Sequence, residues 1–164
     1  MTAHHTHLDT ELGQLLVSAD EGALTGLYFP HHWRMPPAER LGEEAADPLF
    51  DETAVQIAQY LRSERQTFEL PIRLIGDDFQ QKVWRLLEQI PYGVTTTYGE
   101  LADQLGNKAL AQTVGKAVGD NPISIIVPCH RVVGSDGSLT GYAGGLQRKR
   151  TLLELEEGPS VRLF

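Results

Sequence analysis

Cys129 is the only cysteine among the 164 residues of this chain. A single thiol excludes a disulfide within the chain and a Cys-x-x-Cys redox pair, so a hydrophobic core must hold the fold together. A chain of this length can bury such a core in one ordinary domain or in two small ones. No apolar run approaches the roughly 18 residues of a membrane helix, and Met1 to Asp9 show no signal-peptide pattern. We therefore predict a cytoplasmic protein.

Charge is distributed unevenly along the chain. Residues 1–75 carry five basic and twelve acidic side chains, a net charge of −7, whereas residues 76–164 carry nine and ten, a net charge of −1. The overall charge of −8 argues against a nucleic-acid partner. The nearly neutral second half, with a basic cluster at Arg148-Lys149-Arg150, keeps a DNA-binding role open there, although a solvated helix face explains that cluster equally well.

Apolar periodicity divides the chain into a strand-rich half and a helix-rich half. In the first half it predicts a hairpin over 12–29, a loop over 30–48, a helix over 53–61 and an edge strand over 68–74. In the second half it predicts helices over 79–90, 98–105, 109–119 and 146–155, with a glycine-rich loop over 134–145. The boundary falls at Gly76-Asp77-Asp78, where either aspartate could cap the next helix. We predict an α+β protein with two domains, residues 1–75 and 76–164.

The helices over 98–105 and 109–119 have helix-turn-helix spacing around Gly106-Asn107, although an ordinary helical hairpin fits equally well. The second helix presents mostly small residues on its outer face. These are Ala109, Ala111, Gln112, Thr113, Gly115 and Lys116. Such a face suits close backbone approach in a minor groove better than base reading in a major groove.

The segment Pro128-Cys129-His130-Arg131 suggests a nucleophilic thiol. The neighbouring imidazole and guanidinium would favour the reactive thiolate, and His130 could accept its proton directly or through water. Glu156 could orient that imidazole, but it is one of three acids in 154–157, for which a solvated helix end is the commoner role. Tyr98 and Tyr142 could hydrogen-bond a planar substrate, although core packing is the commoner role for a tyrosine.

Five histidines in the first half invite comparison with a zinc site: His4, His5, His7, His31 and His32. No cysteine accompanies them, so we predict a flexible polar terminus and no metal site.

The segment Pro128 to Val133 resembles the active-site signature of the O6-alkylguanine-DNA alkyltransferases, also called methylated-DNA–protein-cysteine methyltransferases. Further segments match that family in order and spacing: 79–84, Ile90-Pro91-Tyr92-Gly93, Thr97-Tyr98, Val114-Gly115, Asn121-Pro122, Gly141-Tyr142-Ala143-Gly144-Gly145 and 149–156. The resemblance covers essentially all of residues 76–164 and is weak over residues 1–75.

This resemblance implies a fold and a function. The fold would combine a small ribonuclease-H-like domain containing antiparallel strands with a mostly helical, winged helix-turn-helix domain. The protein would be a monomer that binds double-stranded DNA, flips an O6-alkylguanine out of the helix, and transfers the alkyl group irreversibly to Cys129, with O4-alkylthymine as a further candidate substrate. No cofactor is implied.

The resemblance also implies roles for individual residues. His130 would deprotonate the thiol through a water, Glu156 would orient His130, and Asn121 would brace the turn at Cys129. Tyr98 would contact the base and assist the departing guanine. Backbone groups around Val132 and Ala143 would read the guanine, and Tyr142 would wall the pocket. Contacts to DNA are expected from Ala111, Gln112, Thr113, Gly115, Lys116 and Arg131.

One position departs from the family pattern. The recognition helix of the family usually carries an arginine that fills the gap left by the flipped base, and the matching residue here is Gln112. We expect base flipping to be retained, with DNA binding that is weaker or more tolerant of salt. Two alternative functions stay open at this point: a lesion-binding relative without catalysis, which typically lacks the cysteine, and a cysteine hydrolase using Cys129, His130 and Glu156.

Overall fold

The computed structural model describes residues 2–30 and 35–157. The chain forms two compact units, Met1–Ile75 with Pro122–Ile126, and Gly76–Asn121 with Val127–Phe164. No helix in the described part of the chain is long and apolar enough to cross a membrane.

The first unit is built on a four-stranded sheet in the order β3-β2-β1-β4. Strands β1 (His4–Thr10), β2 (Gly13–Asp20) and β3 (Ala23–Tyr28) are antiparallel, and β4 (Glu43–Glu44) pairs in parallel with β1. The predicted hairpin is confirmed by β2 and β3, whose turn places Gly22 at φ 81°, a backbone angle that favours glycine.

Helices α1 (Ala38–Leu41) and α2 (Pro48–Leu61) complete this unit. Helix α2 begins five residues before the predicted start at residue 53, because the side chain of Asp47 accepts from the Leu49 N–H and Pro48 supplies a preset φ at the first position. Its buried residues include Phe50, Ile57 and Tyr60. The presence of α1 and β4 shows that the loop prediction for 30–48 was wrong over 38–44; residues 31–34 lie outside the described residues.

The predicted flexible terminus is wrong, because His4–Thr10 is the strand β1. Its backbone pairs with β2 along the whole strand, and ladder bonds do not depend on side-chain polarity. His4 also bonds Asp47 at 2.7 Å, and its ring is tilted against that of Phe50 with the centroids 5.2 Å apart, while His7 lies 3.6 Å from Glu44. In the described residues no group of three or more His, Cys, Asp or Glu side chains could hold a metal ion; His31 and His32 lie outside them.

The edge strand predicted over 68–74 is shorter than expected. Only Ile72 forms a bridge, in parallel with Leu24. The Leu24 N–H donates to the Pro71 carbonyl and the Arg73 N–H donates to the Leu24 carbonyl, each at 2.8 Å. Pro71 has no N–H to contribute to a ladder, which limits the pairing.

The second unit is mainly helical: α3 (Asp78–Glu88), α4 (Tyr98–Gln104), α5 (Ala111–Gly119) and α6 (Leu146–Glu157), with 3₁₀ turns over Lys108–Leu110 and Cys129–Arg131 and a short parallel pair of β5 (Thr96–Thr97) and β6 (Val132–Val133). Asp77 caps α3 in a capping box with Gln80, as one of the two predicted caps. The indole of Trp84 in α3 donates to the Ala117 carbonyl of α5 at 2.8 Å, which ties these two helices together.

Candidate active site

Cys129 begins the 3₁₀ turn that leads into β6, and it is buried. The Cys129 N–H donates to the Val127 carbonyl at 2.8 Å. The side-chain amide of Asn121 donates to the same carbonyl at 2.9 Å. The Val127 carbonyl therefore accepts two bonds next to the turn at Cys129.

Burial raises the pKa of the Cys129 thiol, while Asn121, the charge of Lys149 and Tyr142 act in the opposite direction. The sulfur is therefore a thiol at rest and not a standing thiolate. The sequence argument that flanking cationic residues would favour the thiolate is wrong for a geometric reason: the Arg131 guanidinium is bound to Glu156.

His130, Glu156 and Arg131 form a buried network. The Glu156 carboxylate lies 2.7 Å from Nε2 of His130 and accepts from Nε of Arg131 at 2.8 Å. Arg131 donates a second bond to Glu156 at 2.9 Å and another to the Ile90 carbonyl. The expected solvated helix end is thus wrong for Glu156, whose side chain is 2% exposed. The expected DNA contact by Arg131 does not fit either, since this side chain is buried against Glu156.

Burial lowers the pKa of His130, and the charges of Arg131 and Lys149 lower it further, although Glu156 raises it. The imidazole is therefore neutral near pH 7 and carries its proton on Nε2, because an ionised carboxylate can only accept. Nδ1 is buried and has no hydrogen-bond partner among the described protein atoms. Nδ1 is therefore the nitrogen that keeps an accepting lone pair.

Lys149 is a functional candidate that sequence reasoning did not single out. It is fully buried, and its Nζ donates to the Thr140 carbonyl at 2.9 Å. Burial lowers its pKa from 10.5 to about 8, and the charge of Cys129 opposes that shift. The sequence of α6 indicated this burial, because Lys149, Leu152 and Glu156 have the spacing of one helical face. All three residues are buried.

Two tyrosines, a strand residue and a loop residue are the other predicted members of the site. Tyr98 is half-buried at the start of α4, and its phenolic oxygen accepts from the Thr140 hydroxyl at 2.9 Å. Tyr142 is buried and lowers the pKa of Cys129 against the effect of burial. Val132 is buried in β6 opposite Thr96, and Ala143 is half-buried in the loop.

Helices α4 and α5 follow each other in helix-turn-helix order. Thr97 caps α4, Asn107 caps the 3₁₀ turn, and Gly106 between them has φ 94°. On α5, Gln112, Thr113 and Lys116 are exposed, whereas Ala111 and Gly115 are half-buried. A Cβ atom at Gly115 would lie 3.6 Å from the Tyr98 ring, so this glycine lies beside Tyr98. Lys116 is bound to Asp120 at 3.1 Å.

Fold and site together define a class: α+β proteins whose helical unit carries a single buried thiol, followed in the chain by a histidine that is bound to a buried glutamate. Two family models cover nearly the whole chain. The ribonuclease-like domain of 6-O-methylguanine DNA methyltransferase matches residues 3–74, and the DNA-binding domain of 6-O-methylguanine DNA methyltransferase matches residues 78–158.

Similar proteins and structures agree with these models. The methylated-DNA–protein-cysteine methyltransferase of Mycobacterium tuberculosis is 43% identical, over 94% of this chain and 92% of the relative, and that of Haemophilus influenzae is 39% identical, over 98% and 90%. The crystal structure of Mycobacterium tuberculosis OGT in complex with DNA is similar with a TM-score of 0.84 and 43% identity, covering 94% of this chain and 92% of that one. The chain belongs to the 6-O-methylguanine DNA methyltransferase family.

Proposed function

We propose that this protein repairs DNA by taking the alkyl group from the O6 atom of an alkylated guanine onto Sγ of Cys129. In this displacement a carbon–sulfur bond forms while the carbon–oxygen bond breaks, and its electron pair stays on the guanine. The product thioether offers water no good leaving group, so each molecule acts once. Thiolate and guanine supply all the chemistry, so the step needs no cofactor.

The observation that carries this proposal is the buried Cys129 thiol beside a His130 oriented by Glu156. A thiol with a raised pKa needs a base at the moment of attack. The lone pair on Nδ1 of neutral His130 supplies one, through a bridging water. The proton then rests on an imidazole whose other nitrogen is already held by a carboxylate.

The other site residues take supporting roles in this proposal. Asn121 braces the turn at Cys129, and Tyr142 walls the base pocket. Backbone groups at Val132 and Ala143 read the guanine edges, and Tyr98 assists the departing base. Arg131 holds Glu156 in place rather than contacting DNA, because its guanidinium donates two hydrogen bonds to that carboxylate. Lys149 joins the site as a buried cation that favours the thiolate.

We further propose that α4 and α5 enter the minor groove of a DNA duplex and that the damaged base is flipped toward Cys129. The exposed face of α5, with Gln112, Thr113 and Lys116, supports this orientation. Residues 76–164 would hold the DNA-binding and transfer functions, with residues 1–75 as a scaffold. The wing, the monomeric state, the cytoplasmic location and any action on O4-alkylthymine stay predictions.

Intact mass measurement after incubation with a duplex containing one O6-methylguanine tests this function. We expect a gain of one methylene per protein molecule, located on Cys129 and absent in Cys129→Ser. Lesion binding without a mass change would instead support a lesion-flagging protein. Repeated turnover of a small ester would support a cysteine hydrolase.

A further inference from the structure

Thr140 connects two groups of the candidate site that lie on different elements. Its carbonyl accepts from Nζ of Lys149 in α6, and its hydroxyl donates to the phenolic oxygen of Tyr98 in α4, each at 2.9 Å. Lys149 is fully buried, so the carbonyl of Thr140 is anchored to the core of the unit. The hydroxyl is therefore presented to Tyr98 from a fixed backbone.

The direction of the second bond determines what Tyr98 can do. A phenol has one proton to give and an oxygen that accepts. When Thr140 donates to that oxygen, the phenolic proton is not used in this bond and can be given to another acceptor. If Tyr98 donated to Thr140 instead, its only proton would be occupied.

We propose that Thr140 is a positioning residue that directs the phenolic proton of Tyr98 toward the flipped guanine. This inference rests on the proposed function, in which negative charge develops on the guanine as the carbon–oxygen bond breaks. A donor aimed at that charge stabilises the transition state more than the ground state. A hydrogen bond received by the phenol also polarises it and strengthens the bond that it donates.

The pKa of Tyr98 is consistent with this arrangement. Burial and the charge of Cys129 raise that pKa, and the bond from Thr140 is the cause that lowers it. Thr140 thus counteracts the effect of burial and makes the phenol a better donor during transfer.

Single-turnover kinetics on a duplex with one O6-methylguanine tests the inference. Thr140→Val removes the hydroxyl at nearly constant volume and keeps the carbonyl that binds Lys149, while Thr140→Ser keeps the hydroxyl. We expect Thr140→Val to slow transfer at saturating protein about tenfold with DNA affinity changed less than about twofold, and Thr140→Ser to stay within about twofold of wild type. Thr151→Val, an exposed threonine whose hydroxyl bonds its own helix, is the matched control.

Tyr98→Phe separates positioning from packing. If Thr140 acts through the phenol, adding Thr140→Val to Tyr98→Phe should lower the transfer rate by less than about a further twofold. The inference is overturned if Thr140→Val transfers as fast as wild type or faster, if Thr140→Ser is as slow as Thr140→Val, or if the full loss persists in the Tyr98→Phe background.

Stability and activity controls keep the outcome interpretable. Should Thr140→Val not fold, Thr140→Ala compared with Thr140→Ser makes the same test, since only the serine retains a hydroxyl. A wild-type protein that gains no methylene contradicts the proposed function itself. A wild-type protein that transfers normally, alongside an equally fast Thr140→Val, contradicts only the role of Thr140.

Discussion

Nε2 of His130 lies 2.7 Å from Oε2 of Glu156, and both side chains are buried. The carboxylate can only accept, so it places the imidazole proton on Nε2 and leaves Nδ1 as the acceptor. The fold therefore decides which imidazole nitrogen of His130 can accept a proton.

The first prediction concerns the pH dependence of transfer. The pKa of His130 lies below its usual 6.5, and that of Cys129 lies above its usual 9.0. At pH values between these two pKa values, the histidine is neutral and the cysteine is a thiol. We expect the wild-type rate to be flat across this range and to fall only as pH drops through the lowered pKa of His130. In His130→Gln the rate should rise about tenfold per pH unit toward 9, because only direct ionisation of the thiol remains. Rapid-quench rates at five pH values measure both profiles, and parallel profiles would contradict a base role for His130.

The second prediction concerns Glu156. In Glu156→Gln the buried Arg131 loses its charged partner, so we expect the free energy of unfolding to fall by about 3 kcal/mol and the transfer rate to fall as well. Urea unfolding and single-turnover kinetics measure the two effects. Glu154→Gln and Glu157→Gln, exposed positions of the same helix, are controls that should change little. A variant indistinguishable from these controls would remove Glu156 from the network.

The third prediction concerns Lys149 and stability. The folded protein releases the Lys149 proton near pH 8, whereas the unfolded chain holds it until about its ordinary 10.5. Between these two pH values the unfolded state binds more protons, so the free energy of unfolding increases as the pH rises. Lys149→Met lacks this gain, and the stability of wild type relative to Lys149→Met should increase from pH 7.5 to 9.5. Urea unfolding at both values measures the difference, with exposed Lys108→Met as control. A constant difference would mean that Lys149 is not desolvated.

The fourth prediction concerns Gln112. Gln112→Arg should tighten duplex binding and steepen its salt dependence by up to about one unit of log–log slope, since one cation is added to the exposed face of α5. Gln14→Arg adds the same charge to an exposed position of β2 and should leave the slope unchanged. Fluorescence anisotropy at several salt concentrations measures both. Equal slopes in the two variants would place Gln112 away from DNA.

Local sequence patterns predicted the elements that local physics determines. Asp77 caps α3, and the β2–β3 hairpin forms around Gly22, because capping and turn chemistry act over a few residues. The strand at His4–Thr10 was not predicted, because its side chains are mostly polar and its ladder depends on a partner.

The site was harder to predict in one respect. Cys129 and His130 could be found from their neighbours, but the burial of Glu156 and Lys149 depends on which face of α6 packs inward. Three acids in four residues look solvated unless the buried guanidinium that binds one of them is known. Arg131 was misassigned for the same reason, since its partner lies 25 residues away.

The segment Pro122–Ile126 lies between Asn121 and Val127, whose side-chain amide and carbonyl are hydrogen-bonded, and it limits where the chain can be cut. Pro122–Ile126 belong to the first unit, where Leu27 donates to the Pro122 carbonyl at 2.8 Å and accepts from Ser124 at 3.1 Å. A truncation at residue 75 would strip β3 of those partners and leave the excised half with an orphaned apolar segment immediately before its nucleophile. Neither half is therefore an independent module, and circular permutation within a surface turn would preserve the molecule better than cutting it near residue 75.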